Sequence, residues 1–109
     1  MFYIHAIGLV FDMTEESFKY LDKVVEVLND HPEYNLEITG HTDNLGEEGP
    51  LLSLSKARAK AVVDYLVSKG IDASRLTSDG MGGKDPIASN ESPSGRKQNE
   101  RIEFKVKFK

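Results

Sequence analysis

Apolar and polar positions alternate in some stretches of the chain and recur at helical spacing in others. Residues 3–11 carry Ile4, Ile7, Leu9, Val10 and Phe11 and predict a strand, with Gly8 as a candidate bulge. Phe18, Leu21, Val24, Val25 and Leu28 recur at helical spacing and predict one buried helix stripe. Thr14 is the candidate N-cap of that helix, Glu15 and Glu16 complement its dipole, and Asn29, His31 and Pro32 end it. From Tyr34 to Gly40, Tyr34, Leu36 and Ile38 alternate with Asn35, Glu37 and Thr39, as in a half-buried strand. Residues 41–50 are loop by composition. A second helix is expected from about Leu52 to Lys69, with the stripe Leu54, Ala57, Ala61, Val62, Tyr65 and Leu66. Gly70 is placed to close it in the left-handed conformation, with Ile71 as the hydrophobic contact. A short strand from Arg75 to Met81 and a Gly/Pro-rich loop over 80–90 follow. A last strand, Asn99 to Phe108, sets Ile102, Phe104, Val106 and Phe108 against Glu103, Lys105 and Lys107, and its lysines predict a solvated edge. The order β-α-β-α-β-β, with two long crossover helices, predicts an α/β domain, an α+β sandwich with its helices packed on one mixed sheet.

Composition narrows the class. With 109 residues the chain has room for a single domain, 1–109, and no second core. Apolar residues at 39% and charged residues at 29% exclude disorder, collagen and coiled coil as whole-chain descriptions. The absence of cysteine excludes disulfide frameworks, thiol catalysis and Cys-based zinc sites. A net charge of −4 lacks the footprint of a general nucleic-acid binder. The segment from Arg96 onward is basic, with six Lys/Arg and two Asp/Glu, which fits the wet face of the last strand. No run approaches the roughly 18 apolar residues of a membrane helix. The N-terminus has neither the basic start nor the small-residue cleavage site of a signal peptide. The expectation is a cytoplasmic protein or a domain of a longer exported one, with any membrane contact made by the rest of that parent.

Two charged residues stand out. Arg58 falls four residues after Leu54 and four before Val62, beside the apolar stripe and near a helix N-terminus, where the dipole disfavours a cation. It either pairs with Asp43 or a glutamate to staple loop to helix, or waits for a ligand carboxylate that its fork can grip. Asp43 lies in the loop after a strand end, where open sheets bind ligands; alternatively it bonds its own backbone in a turn. Together the two suit a zwitterionic amino-acid head. Rival chemistries find less support. His41 and Asp43 could face the same way as metal ligands, but no third ligand is spaced nearby, and His41 fits better as a hydrogen-bonded strand-end residue. No serine sits in a nucleophile elbow, and Gly80-Met81-Gly82-Gly83-Lys84 fails the phosphate-loop spacing, with Asp85 where Ser or Thr is required. No carboxylate pair suggests glycoside hydrolysis, so binding without catalysis, metal or cofactor is expected. Asn90-Glu91-Ser92 matches a glycosylation sequon that this context discounts.

Spaced motifs in one order carry a resemblance. Gly40-His41-Thr42-Asp43-Asn44-Leu45-Gly46 is followed by Leu54-Ser55-Lys56-Ala57-Arg58-Ala59, then Lys69-Gly70-Ile71, Arg75-Leu76 and Gly80-Met81-Gly82. Pro86-Ile87-Ala88-Ser89-Asn90, Gly95-Arg96 and Asn99-Glu100-Arg101-Ile102-Glu103-Phe104 complete the series, and Phe11-Asp12 and Pro32 stand upstream. Over nearly its whole length the chain resembles the OmpA-like peptidoglycan-binding domain family, which includes the OmpA C-terminal domain, the peptidoglycan-associated lipoprotein Pal and the stator protein MotB. The resemblance implies non-covalent binding of peptidoglycan through the diaminopimelate residue of the stem peptide, anchoring a periplasmic parent protein to the cell wall. It assigns the ligand ammonium to Asp43 and the ligand carboxylate to Arg58. Thr42, Asn44 and Leu54 become wall residues, Phe11 and Asp12 approach the ligand, and Asn99 and Arg101 support the site.

The chain departs from the family pattern at several places. Leu51 stands where the family usually has an asparagine that shapes the binding loop, and Glu100 replaces the first arginine of an Asn-Arg-Arg run. Gly49-Pro50 alters the loop before the second helix, and the segment from Asp12 to the first helix is short. Leu51 and Glu100 favour the alternative reading, an interaction or homodimerisation module that has lost peptidoglycan binding.

Overall fold

A computed structural model describes the backbone of residues 2–7 and 15–108 and the side chains of 17–108. The expected Thr14 cap, the Gly8 bulge and the strand residues beyond Ile7 lie outside the described residues. The elements are β1 (Phe2–Ile7), α1 (Glu15–Asp30), β2 (Tyr34–His41), α2 (Glu48–Ser68), β3 (Leu76–Gly80), α3 (Pro93–Asn99) and β4 (Arg101–Phe108), with a single 3-10 turn at Ala73–Arg75 before β3.

The four strands form one mixed sheet in the order β1-β4-β2-β3. Both β1 and β2 run antiparallel to β4, and β3 runs parallel to β2 through the α2 crossover. This corrects the expectation of an edge position for β4: it is flanked on both sides. Its alternation reads the same for an edge strand and for an inner strand of a one-sided sheet. Its polar face also differs along its length. Lys107 is exposed and reaches Glu37 at 2.8 Å, whereas Arg101 and Glu103 are buried.

One core fills the side of the sheet that the helices cover. Leu21, Val24 and Leu28 of α1 and Ala59, Val62 and Leu66 of α2 meet Leu36, Ile38, Ile102, Phe104 and Val106 of the sheet. The two helices also meet each other: Phe18 packs on Tyr65 with ring centroids 4.9 Å apart, and the Tyr65 hydroxyl donates to Asp22 at 2.6 Å.

α2 starts four residues earlier than expected. Gly49 and Pro50 lie in its first turn, where proline's missing N–H costs nothing because those amides have no acceptor within the helix. Its buried face also differs from the expected stripe. Ser55, Arg58, Ala59, Val62 and Leu66 face inward, while Leu54, Ala57 and Ala61 are exposed. Two glycines cause the rotation. Gly40 and Gly80 are register partners at the ends of β2 and β3, and the backbone of α2 at Ser55 rests directly on both. A Cβ on Gly40 would overlap Ser55 O and lie 3.0 Å from Ser55 C; one on Gly80 would overlap Ser55 Oγ and Lys56 N. A small residue therefore belongs at the contact, and Ser55 fills it with its hydroxyl on Leu52 O and Gly82 N. At the other end Gly70 has φ +97°, and Ile71 N returns to Leu66 O at 3.2 Å, closing the helix as expected.

The unexpected helix α3 is built from local signals inside a polar stretch. Ser92 accepts from Gly95 N at 3.0 Å and Pro93 follows at the first helical position.

Candidate functional site

The ends of β2 and β3, the start of α2 and the start of β4 converge at one end of the sheet. His41 is the register partner of Arg101, so Thr42 and Asp43 leave β2 beside Glu100 as it enters β4. The close seat of α2 on Gly40 and Gly80 brings Arg58, one turn after Ser55, to the same end.

Arg58 is buried, and its Nη1 donates to Glu100 Oε2 at 3.1 Å. Of the alternatives open from the sequence, the structure supplies a glutamate partner. Asp43 adopts the turn arrangement: its Oδ1 accepts from Leu45 N at 3.0 Å. Thr42 is buried, its N–H donating to Gly82 O at 2.9 Å and its hydroxyl to Asp43 O at 2.7 Å. It braces the loop from beneath. Asn44 and Leu54 are both exposed, on the solvent side of the loop and helix. Phe11 and Asp12 lie outside the described residues.

Beside this loop is a cavity of about 160 Å³ lined by Asn44, Gly46, Glu48, Leu51, Gly83 and Lys84. Lys84 Nζ meets Glu48 Oε1 at 2.8 Å, and this contact holds the Glu48 carboxyl below its ordinary value. Leu51 gives the cavity an apolar wall where the family pattern has an amide. Gly83 is packed so tightly on Asp43 that a Cβ there would lie 2.7 Å from Asp43 O. The loop from β3 and the Asp43 turn are thus one surface.

Asn99 and Arg101 organise the floor. Asn99 is fully buried; its Oδ1 accepts from Ile87 N and Ala88 N, and its Nδ2 donates to Ala88 O and Asn90 Oδ1. Arg101, also fully buried, donates to Glu103 Oε2, Asn99 O and Asp85 O at 2.8, 3.0 and 2.9 Å. Both fix the 85–90 segment to the root of β4. His41 is buried with Nε2 3.4 Å from Glu103 Oε1, and neither ring nitrogen makes a hydrogen bond of good geometry among the described residues, unlike the bonded histidine the sequence suggested. Burial, and next the positive charge of Arg101, lower its pKa from the ordinary value of 6.5. Among the described residues no group of three His, Cys, Asp or Glu side chains could hold a metal ion, and no helix is long and apolar enough to cross a membrane.

Glu100 is the site feature that sequence reasoning left without a role. Its signal was the replaced arginine in the Asn-Arg-Arg run. That a residue 42 positions beyond Arg58 would pair with it needed the β2–β4 register.

Comparisons with known proteins agree with this architecture. The peptidoglycan-binding protein ArfA of Mycobacterium tuberculosis is 42% identical over 89 residues, covering 82% of this chain and 27% of that protein. The probable lipoprotein YiaD of Escherichia coli is 39% identical over 84 residues, 77% of this chain and 38% of that one. The chain therefore spans well under half the length of these curated relatives. Among solved structures, the cell wall anchor of the T6SS from Pseudomonas aeruginosa matches with a TM-score of 0.82 and 28% identity over 97% of this chain and 80% of that one. The peptidoglycan-associated lipoprotein from Burkholderia pseudomallei shares the fold, with a TM-score of 0.86 at 23% identity over 95% of this chain and 91% of that one. The model of the OmpA family matches residues 10–100, and the chain belongs to that family.

Proposed function

We propose that this domain binds peptidoglycan without cleaving it, through the diaminopimelate residue of the stem peptide, and so tethers a longer parent protein to the cell wall from the periplasmic side. The observation that carries the proposal is Arg58: a guanidinium held on the buried face of α2, at the sheet end where the Asp43 loop begins. A planar fork in such a place suits recognition of a carboxyl group better than a mobile surface cation does. Asp43 has one oxygen committed to its own turn through Leu45 N, and the proposal assigns the other to the ligand ammonium. Asn44, Leu54 and the cavity beside Leu51 provide the wall, with Thr42 beneath the loop. Asn99 and Arg101 keep the 85–90 segment in place, and the family resemblance assigns further ligand contacts to Phe11 and Asp12. The names of ArfA and of the T6SS cell wall anchor support the same role.

The test is co-sedimentation of the purified domain with diaminopimelate-type sacculi and with lysine-type walls, alongside Asp43→Ala and Arg58→Ala. The expected result is retention on the first wall type only, and its loss in both variants. Retained binding by Arg58→Ala would overturn the assignment. One observation favours a second reading, an interaction module without ligand: Glu100 already sits on Arg58. Failure of the wild type to sediment with either wall would decide for that reading.

A further inference from the structure

Glu100 Oε2 accepts from Arg58 Nη1 at 3.1 Å, and of the two side chains the carboxylate is the more exposed, 21% against 8%. A group that approaches the guanidinium from this side meets Glu100 as well. The backbone that carries the glutamate is held in place. Its N–H bonds Arg96 O at 3.1 Å at the end of α3, and the next residue, Arg101, is fully buried and held by three acceptors. A head group that reaches Arg58 with this pair in place therefore has to satisfy both side chains.

A free carboxylate does this poorly. It offers only acceptors and a negative charge, so it pairs with the guanidinium but stands beside the Glu100 oxygens with no donor between them. The positive charge that would draw it in is already balanced. A primary carboxamide is complementary to the pair: its oxygen accepts from Arg58, its N–H donates to Glu100, and it brings no charge. Selectivity of this kind arises as much from the unfavourable contact with the wrong ligand as from the favourable one with the right ligand.

We propose that Glu100 sets the specificity of this site for an amidated head group, so that the preferred ligand is a stem peptide whose diaminopimelate carries a primary carboxamide at its side-chain end. The inference rests on the reading of Arg58 as a peptidoglycan contact.

The experiment is calorimetric titration of the full chain with two soluble stem peptides that end in diaminopimelate, one with the free side-chain carboxyl and one with its primary amide. Wild type, Glu100→Gln and Glu100→Ala are compared by the ratio of the two affinities, which a general loss of folded protein leaves unchanged. Wild type is expected to bind the amide about tenfold more tightly than the acid, the scale of one unpaired polar contact in a half-buried site. Glu100→Gln removes the charge and supplies an N–H donor, so the ratio should fall to parity or reverse toward the acid. Glu100→Ala, which removes both charge and acceptor, should also abolish the preference. Equal binding of both peptides by wild type, or an amide preference that survives in both variants, would overturn the role of Glu100 and leave the peptidoglycan reading standing. Binding of neither peptide by wild type would overturn both.

Discussion

Replacing Gly40 by alanine should disturb the whole site through one methyl group. The added carbon would overlap Ser55 O and lie 3.0 and 3.3 Å from Ser55 C and Cα, all of them backbone atoms of α2. Carbon atoms rest at about 3.5–4.0 Å, so the helix or the strand end has to withdraw by a good fraction of an ångström or more. No side-chain rotation can relieve the contact. Overpacking of this kind costs about 1–3 kcal/mol, while the reduced freedom of the unfolded chain returns about 0.4–1 kcal/mol at most. The middle of both ranges leaves a net loss of about 1.3 kcal/mol, and at roughly 4–8 °C per kcal/mol for a domain near this size the melting temperature should fall by roughly 5–10 °C. Gly49→Ala is a comparison in the first turn of the same helix: beyond its chain neighbours nothing lies within 4 Å of the added carbon, so its cost is confined to the local strain of a Cβ before Pro50 in helical geometry. Both are read by thermal denaturation followed by circular dichroism. Because Arg58 follows Ser55 by one turn, Gly40→Ala should also weaken ligand binding. A Gly40→Ala protein that melts within about 2 °C of wild type would refute the seating of α2 on this glycine, on a scale where 1 kcal/mol is several degrees.

Other expectations follow from the polar framework. Arg75 donates to Leu28 O, His31 O and Tyr34 O at 2.8–3.0 Å, closing the end of α1 onto the start of β2, so Arg75→Met should cost about 2–3 kcal/mol. Urea denaturation checks this; a loss below about 0.5 kcal/mol, the level of an ordinary surface change, would contradict the capping role. Asn99→Ala leaves the amides of Ile87 and Ala88 without their acceptor, and hydrogen exchange should accelerate at those two positions well before the core strands open. His41 is buried and its pKa is lowered by burial and by Arg101, partly opposed by the carboxylates of Glu103 and Asp85. The unfolded chain therefore binds the proton first. The stabilisation is complete above the ordinary value of 6.5 and is lost as pH falls from there through the lower folded value. His41→Gln should flatten that part of a stability-against-pH curve measured by denaturant titration; an unchanged slope would remove His41 as its cause.

The strongly periodic parts of the chain were legible because burial dictated them. α1 shows its apolar stripe at Leu21, Val24 and Leu28, and β2 its alternation at Leu36 and Ile38, and both face the core as expected. Gly70 announced a left-handed helix end that only glycine adopts readily, and it sits there with φ +97°. β4 was misplaced for a reason internal to strands: alternation reports which face is wet, not which edges are paired. Arg101 and Glu103 are buried in a polar cluster, Glu103 against Arg101 and His41 and Arg101 against Asp85 of the distant loop, a long-range arrangement with no periodic signal. α3 was hidden because Ser92-Pro93, a good helix opening, lies among residues whose composition reads as loop.

The inward face of α2 was misjudged for the reason that gives the site its form. Hydrophobic periodicity weights Leu54 and discounts Ser55 and Arg58, yet the helix turns Ser55 inward because two glycines on adjacent strands let its backbone descend onto the sheet. Contact between backbones has no hydrophobic signature; it shows only as small residues at matched positions on partners far apart in sequence. Once α2 is seated there, Arg58 is carried below the surface, and a buried guanidinium requires an anion. Glu100 provides one from the start of β4. The residue that looked like damage to a binding motif is thus the partner that permits Arg58 to stay buried without ligand. On the proposed reading of Arg58, a ligand is recognised against that carboxylate as well as by the arginine.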